Sequence, residues 1–98
     1  MTVSIITSMY NGRPHVLEAV ENLFFRSVAQ HGSPRTELIV LDDRSPLEDE
    51  TRAMVDRHMP ALSSAFANVV FTRNEQNLGF AGSFNRGIEI ARGDVLLV

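Results

Sequence analysis

Residues 37–46 read ELIVLDDRSP, a short apolar strand that leads directly into acidic, turn-forming residues. An apolar run of this length, bounded by turn residues, is typical of a buried strand. Asp42 and Asp43 stand where the strand ends, and ligands of an open parallel sheet bind at that edge. The stretch therefore predicts a buried strand with a polar site at its carboxyl end.

Segments on both sides of this stretch repeat the alternation of strand and helix. Apolar, β-branched runs predict further strands at residues 3–7, 68–72 and 94–98. Apolar residues at helical spacing predict one helix from Pro14 to near Gly32 and another over residues 81–91. This order predicts an α/β fold, a three-layer α/β/α sandwich that is Rossmann-like with a mostly parallel sheet.

The helix after the acidic turn has expected limits of its own. Ser45 and Glu48 have the spacing of a capping box, and Pro46 lies between them at the first helical position. Pro60 lies just beyond His58, where it would end the helix. We therefore expect a helix from about Pro46 to His58.

Composition restricts the class of protein. The chain has 98 residues, of which 44% are hydrophobic and 21% charged, the balance of one globular domain or part of one. A net charge of -3 with scattered basic residues argues against a nucleic-acid partner. The absence of cysteine excludes disulfides and a thiolate nucleophile, and it suits a reducing cytosol.

Polar clusters follow the first three predicted strands, at residues 7–11, 42–45 and 73–79. The carboxyl ends of parallel strands meet at one edge, so we expect the clusters to converge. The first cluster supplies hydroxyls, an aromatic ring and an amide, which suit the face and edge of a planar base. Tyr10 and Asn11 have the alternative role of closing the strand and its turn.

The other two clusters offer groups for a nucleoside and for phosphates. The carboxylates of Asp42 and Asp43 can accept hydrogen bonds from a base imide or ribose hydroxyls, or help to hold a divalent cation. Alternatively, one of them only turns the chain toward Ser45. The loop before the last helix leads into a helix amino end, which attracts anions, but it matches neither a P-loop nor a dinucleotide fingerprint. It is rich in residues that tolerate left-handed backbone: Asn74, Asn77, Gly79 and Gly82.

Histidine and phenylalanine carry no predicted chemistry. The three histidines are too scattered for a metal site or catalytic dyad and are expected at the surface: His15, His31 and His58. The phenylalanines are expected mainly in the core rather than as a stacking platform: Phe24, Phe25, Phe66, Phe71, Phe80 and Phe84.

In order and spacing, residues 3–12, 37–45, 74–88 and 92–98 resemble the successive motifs of family 2 glycosyltransferases, across nearly the whole chain. The resemblance implies a GT-A fold and a nucleotide diphosphate sugar donor, most often a UDP- or dTDP-sugar. It implies transfer to an acceptor hydroxyl by displacement at the anomeric carbon, assisted by Mg2+ or Mn2+.

The resemblance also assigns nucleotide contacts, with Asp43 as the principal nucleoside ligand: Thr7, Ser8, Tyr10, Asn11, Asp42, Asp43, Asn77, Gly79 and Asn85. Ser8 stands where many members carry proline, and Phe84 where some carry an arginine that contacts phosphate. Neither the Asp-x-Asp metal ligands nor the catalytic base of inverting members falls within residues 1–98. This chain would therefore be the amino-terminal nucleotide-sugar-binding part, without catalytic or metal-binding residues.

Because the sequence stops within an apolar strand, we expect a longer parent protein in which the chain alone is inactive. We also expect a cytoplasmic location, at the membrane surface through segments outside this chain. The acceptor, a saccharide or a lipid, is not indicated. Three other functions stay open: a sugar nucleotidyltransferase, a receiver-like signalling module, and a degenerate transferase domain kept for binding.

Overall fold

The computed structural model describes residues 3–97, and its strands form one fully parallel sheet in the order β3-β2-β1-β4. The strands lie at the predicted places, and the first three are longer than predicted by one or two residues. Val98, the last residue of the predicted fourth strand, lies outside the described residues. The strands are β1 (Val3–Met9), β2 (Thr36–Asp42), β3 (Asn68–Arg73) and β4 (Asp94–Leu97).

Helices connect the strands, and none of them in residues 3–97 is long and apolar enough to cross a membrane. The first connection is interrupted by a π-helical turn (Glu21–Phe25) and ends in a 3-10 turn (Ala29–His31). The α-helices are α1 (Pro14–Val20), α2 (Arg26–Val28), α3 (Glu48–Ala65) and α4 (Gly79–Ile90).

Both faces of the sheet are covered, as the predicted three-layer architecture requires. β2 is buried along almost its whole length, and its apolar side chains alternate between two cores. Leu38 and Val40 belong to the core that also contains Phe25 and Met54 from the connecting helices. Ile39 and Leu41 belong to a second core, on which α4 packs through Phe84 and Ile90.

The predicted start of α3 is wrong. The helix begins at Glu48, and the Ser45 side chain does not cap it. Instead the Ser45 hydroxyl donates to Asp42 Oδ1 and accepts the backbone N–H of Asn11 at 2.8 Å. Ser45 therefore joins the loops after β1 and β2 rather than beginning the helix.

The predicted end of α3 is also wrong, because the helix continues through Pro60 to Ala65. A proline inside a helix costs about 3 kcal/mol through its missing N–H and its ring. The turn beyond Pro60 buries Leu62, and Phe66 follows it into the same core. Burial of two such side chains recovers about 3–6 kcal/mol, which is enough to extend the helix past the proline.

The π-helical turn is tied to α3 by a carboxylate. Glu21 accepts hydrogen bonds from Arg57 Nη2 at 2.9 Å and from His58 Nε2 at 2.8 Å. These contacts from His58 and Arg57 hold the pKa of Glu21 below its ordinary value. His58 also stacks on the buried Phe25 ring. It is thus half-buried, unlike the two exposed histidines, His15 and His31.

The strand order positions the candidate site. The chain runs outward from β1 through β2 to β3 and then returns to the other side of β1 as β4. A reversal of this kind opens a crevice at the carboxyl ends of the strands. The loops that follow β1, β2 and β3 all lie at this edge.

Candidate functional site

A cleft of about 540 Å³ lies where the loops after β1, β2 and β3 meet. Its size and largely apolar wall are those of a small-molecule site. Six of the predicted site residues border it: Thr7, Ser8, Tyr10, Asp43, Asn77 and Gly79. The rest of the wall is apolar: Met9, Val20, Phe24 and Phe80.

Exposed aromatic rings mark this cleft. Tyr10 is 50% exposed and Phe80 is 70% exposed, although both are large apolar side chains. Phe80 stacks on Phe84 with 6.4 Å between ring centroids, and Phe84 packs on the core beneath α4. Flat rings held in water at the edge of a cleft suit a planar ligand. The prediction that the phenylalanines are core residues is therefore wrong for Phe80, and Phe24 contributes to core and cleft alike.

The Asp43 carboxylate borders the cleft but is only 5% exposed. Its Oδ1 accepts the backbone N–H of Leu78 at 2.7 Å and Asn74 Nδ2 at 2.9 Å, and its Oδ2 accepts the backbone N–H of Gly79 at 2.9 Å. Burial alone would raise the pKa of Asp43, but the hydrogen bonds outweigh burial and hold the pKa below its ordinary value. The group is therefore an anion at neutral pH, with an acceptor position left on Oδ2.

The same contacts determine the conformation of the loop before α4. The N–H groups of Leu78 and Gly79 stand at the helix start, where backbone donors lack intrahelical partners. Gly79 has a φ of 73°, in the left-handed region that favours glycine. Asn77 Nδ2 donates to the Asp43 backbone carbonyl at 3.1 Å. At the helix amino end, which the sequence suggested for a diphosphate, Asp43 thus already engages the N–H groups of Leu78 and Gly79.

Asn74 belongs to the predicted polar cluster after β3, but sequence reasoning assigned it no contact in the site. It is fully buried, and its Nδ2 donates to both Asp43 Oδ1 and Ser83 Oγ. Its Oδ1 accepts Arg86 Nη1 at 2.6 Å, so every polar atom of the amide is engaged. The available signal was its place directly after β3, at the edge where the strand ends meet.

Asp42 does not border the cleft, although its neighbour does. It is 2% exposed, accepts the Ser45 backbone N–H at 2.9 Å and pairs with Arg73 Nη1 at 2.9 Å. These partners come from the loop after β2 and from the end of β3. The structure thus supports the alternative in which one of the two aspartates turns the chain toward Ser45.

Two predicted amides also lie outside the cleft lining. Asn11 is fully buried, and its Nδ2 donates to Thr51 Oγ1 at 3.1 Å and to Met9 Sδ at 3.3 Å. It therefore joins the loop after β1 to α3, as the strand-and-turn alternative expected. Asn85 is exposed on α4 and does not line the cleft.

A metal ion has no candidate ligand set in the described part of the chain. Residues 3–97 contain no group of three histidine, aspartate or glutamate side chains that could hold one. Both Asp43 oxygens already accept hydrogen bonds, and Asp42 is paired with Arg73. That the ligands of a divalent cation lie outside this chain stays a prediction.

Comparisons with known proteins identify the family and the fold of this chain. Residues 4–98 match the family model of glycosyl transferase family 2, and the chain therefore belongs to that family. It is similar to the crystal structure of S. aureus TarS 1-349, with 27% identity and a TM-score of 0.73, and to the same protein in complex with UDP, with 26% identity and a TM-score of 0.73. Each alignment covers 100% of this chain and 27% of the other.

A more distant likeness supports the fold. Mannosyltransferase PcManGT from Pyrobaculum calidifontis, in complex with GDP-Man and Mn2+, is 22% identical with a TM-score of 0.66, over 95% of this chain and 25% of that one. The fold is of the GT-A type, and the chain spans about a quarter of the length of these structures. A comparison with curated proteins finds no significant match.

Proposed function

We propose that this chain supplies the donor nucleotide site of a glycosyltransferase that moves a sugar from a nucleotide diphosphate sugar to an acceptor hydroxyl. The observation that carries this proposal is the convergence on one cleft of Tyr10, Asp43, Asn77 and Gly79. Family membership supports the reaction class. The UDP complex of TarS, which is similar over the whole chain, supports a nucleoside diphosphate as the ligand.

The wall of the cleft suits the base of such a ligand. Tyr10 and Phe80 present rings on which a base can stack, and Val20 and Phe24 exclude water from its edge. The free acceptor position on Asp43 Oδ2 pairs with a donor, such as a base imide N–H. Uracil and thymine carry an imide N–H, whereas cytosine presents an unprotonated ring nitrogen. This donor group and the UDP complex of the similar TarS support our proposal that the donor is a UDP- or dTDP-sugar.

The diphosphate needs charge that this cleft does not supply. None of the described residues that border the cleft is a lysine or an arginine. Residues or ions held elsewhere must then neutralise the leaving diphosphate. Bound Mg2+ or Mn2+ would supply this stabilisation of negative charge. We place the ligands of that ion, and the carboxylate that takes the acceptor proton, outside this chain.

In this proposal the chain binds and orients the donor. The base is held between aromatic and apolar side chains, and Asp43 fixes its rotation within the cleft. Orientation of a reactant contributes to catalysis by converting an encounter into an intramolecular step. The residues of this chain therefore act before the bond to the anomeric carbon breaks, and none of them exchanges a proton with the substrate.

Calorimetric titration of the purified protein with UDP and CDP tests the proposal. We expect UDP to bind more tightly than CDP, and Asp43→Asn to weaken UDP binding about tenfold, because a charge-assisted hydrogen bond is lost. Asp56→Asn is the matched control, since Asp56 is exposed on α3. Equal affinities for UDP and CDP, or an unchanged UDP affinity in a folded Asp43→Asn variant, would contradict the proposal.

A further inference from the structure

Arg86 lies at the centre of a hydrogen-bond cluster behind the candidate site. Its Nη1 donates to Asn74 Oδ1 at 2.6 Å and to the Arg73 carbonyl at 3.2 Å, and its Nη2 donates to Thr72 Oγ1 at 3.1 Å. The side chain is partly buried, and no ion pair joins it to a carboxylate within residues 3–97. Its hydrogen-bond partners are all neutral oxygens.

Asn74 connects this cation to Asp43. The amide presents Oδ1 to Arg86 and Nδ2 to Asp43 Oδ1, over distances of 2.6 and 2.9 Å. A guanidinium can only donate and a carboxylate can only accept, so the reversed amide would oppose both neighbours. Arg86 therefore selects the amide orientation that donates to Asp43.

We propose that Arg86 is a positioning residue of the nucleotide site, which acts through Asn74 to keep the Asp43 carboxylate ionised and correctly oriented. The inference rests on the proposed function in one respect, the assignment of Asp43 as the ligand of the base. Arg86 does not border the cleft and lies instead beside a second, shallower depression with Glu75 and Gln76. Its influence on a bound nucleotide thus passes through the amide.

The position of the amide between a cation and an anion makes this coupling strong. Hydrogen bonds to charged groups are shorter and stronger than neutral ones, and consecutive hydrogen bonds polarise one another. Asn74 is fully buried, so water cannot replace a lost partner without a rearrangement. Without Arg86, Asn74 Oδ1 loses its charged donor, and the amide is free to turn away from Asp43.

The first test uses the unaltered, nucleotide-free protein and needs no variant. Asp43 is titrated by carbon-13 NMR of its carboxyl group, while the side-chain amide of Asn74 and the guanidinium of Arg86 are followed by nitrogen-15. We expect both nitrogen signals to shift as the pH passes through the midpoint of the Asp43 titration. An Arg86 signal that does not respond to the protonation of Asp43 would overturn the inference.

The second test compares Arg86→Met, Arg86→Lys and, as a control, Arg52→Met, since Arg52 is exposed on α3. We expect Arg86→Met to raise the Asp43 midpoint and to weaken UDP binding about tenfold, the loss typical of a hydrogen bond to a charged group. Arg86→Lys should bring both the Asp43 midpoint and the UDP affinity much of the way back to those of the unaltered protein, because it returns a charged donor. A Lys variant no better than Met would mean that Arg86 only fills space.

The two readouts separate this inference from the proposed function. The Asp43 midpoint is measured without nucleotide, so it reports the coupling whether or not UDP binds. UDP binding that is equally tight in the Arg86→Met and control proteins rejects Arg86 as a positioning residue and leaves the nucleotide site standing. Failure of the unaltered protein to bind UDP rejects the proposed site, and with it the positioning of a base ligand.

Discussion

Asp43 has a structural task in addition to facing the cleft. Its carboxylate accepts the backbone N–H groups of Leu78 and Gly79, and its backbone carbonyl accepts Asn77 Nδ2. The loop of residues 77–79 therefore depends on the residue that directly follows β2. A protonated carboxyl group loses acceptor capacity, and both tasks therefore need the ionised form. Loop conformation and ligand binding should respond to the same titration.

The fall in the free energy of unfolding at low pH, here called the acid limb, tests whether the fold depends on ionised Asp43. The folded-state pKa of Asp43 is depressed, so its contribution to the free energy of unfolding is present above an ordinary carboxyl pKa of about 4 and is lost as the pH falls through the folded-state value. Glu21, whose pKa is also depressed, acts with the same sign. We expect urea-unfolding free energies to fall as the pH is lowered below about 5, and to fall less in Asp43→Asn.

The control for this profile is Asp56→Asn, which removes an exposed carboxylate from α3. It should keep the full acid limb of the unaltered protein. An Asp43→Asn variant with the same acid limb as the unaltered protein would show that Asp43 makes no pH-dependent contribution.

For single residues, the position in the fold was easier to predict than the hydrogen-bond and ion-pair partners. The sequence indicated that Asp42 and Asp43 stand at a strand end, because a short apolar run followed directly by acidic turn residues is typical of a buried strand. The strand-and-turn pattern alone did not distinguish their roles, since neighbouring side chains point in different directions and meet partners from distant segments. Only the family resemblance singled out Asp43 as the nucleoside ligand. Asp42 meets Arg73, and Asp43 meets Asn74, only after β3 has paired with β2.

At the scale of elements, α4 makes a close approach to the sheet at Gly87. A Cβ atom there would meet Ile6 Cγ2 in direct overlap and Leu41 Cδ1 at 2.9 Å. Both residues belong to the core beneath α4. The absence of a side chain at Gly87 therefore sets how closely the helix that begins at the nucleotide loop can lie on β1 and β2.

Gly87→Ala should lower the free energy of unfolding by about 1–3 kcal/mol, because the added methyl group overpacks a buried contact. It should also weaken UDP binding by displacing the start of α4. Denaturant unfolding and UDP titration measure the two effects. Gly12→Ala is the control for stability only, since its Cβ would meet the Tyr10 ring edge of the cleft, at 3.4 Å. A Gly87→Ala protein as stable as this control would contradict the close approach.

The elements themselves were mostly predictable, because apolar periodicity determines which segments form helices and strands. The residues at which the elements begin and end were less predictable. The limits of α3 depend on tertiary contacts: Ser45 bonds to Asp42, and Leu62 and Phe66 keep the helix intact beyond Pro60. No local signal reveals that a proline will be outweighed by burial two residues further along the chain.

At the scale of the whole molecule, strand order converts three separate segments into one site. A sheet in the order β3-β2-β1-β4 brings the polar residues after β1, β2 and β3 to a single edge. The alternation of elements and the general rule for parallel sheets predicted this convergence. The exposed Phe80 was not predicted, because its exposure depends on how α4 begins, above the cleft rather than on the core.

The proposed placement of the catalytic groups outside this chain gives a prediction for the chain itself. Residues 1–98 should bind a nucleoside diphosphate but transfer no sugar from a UDP-sugar, because we place the metal ligands and the proton acceptor outside them. A coupled assay for UDP release, with and without Mn2+, measures this. UDP release above background that Asp43→Ala abolishes would show that the chain contains catalytic residues of its own.

Heteronuclear NMR of the labelled protein, titrated with UDP, tests the donor-site proposal most directly. We predict saturable shifts at Thr7, Ser8, Tyr10, Asp43 and the 77–79 loop, with smaller shifts at Asn74 and Arg86 and none along the exposed face of α3. dTDP should give the same map, and CDP a weaker one. Shifts confined to residues outside the cleft, or none in a folded protein at saturating UDP, would contradict the proposed donor site.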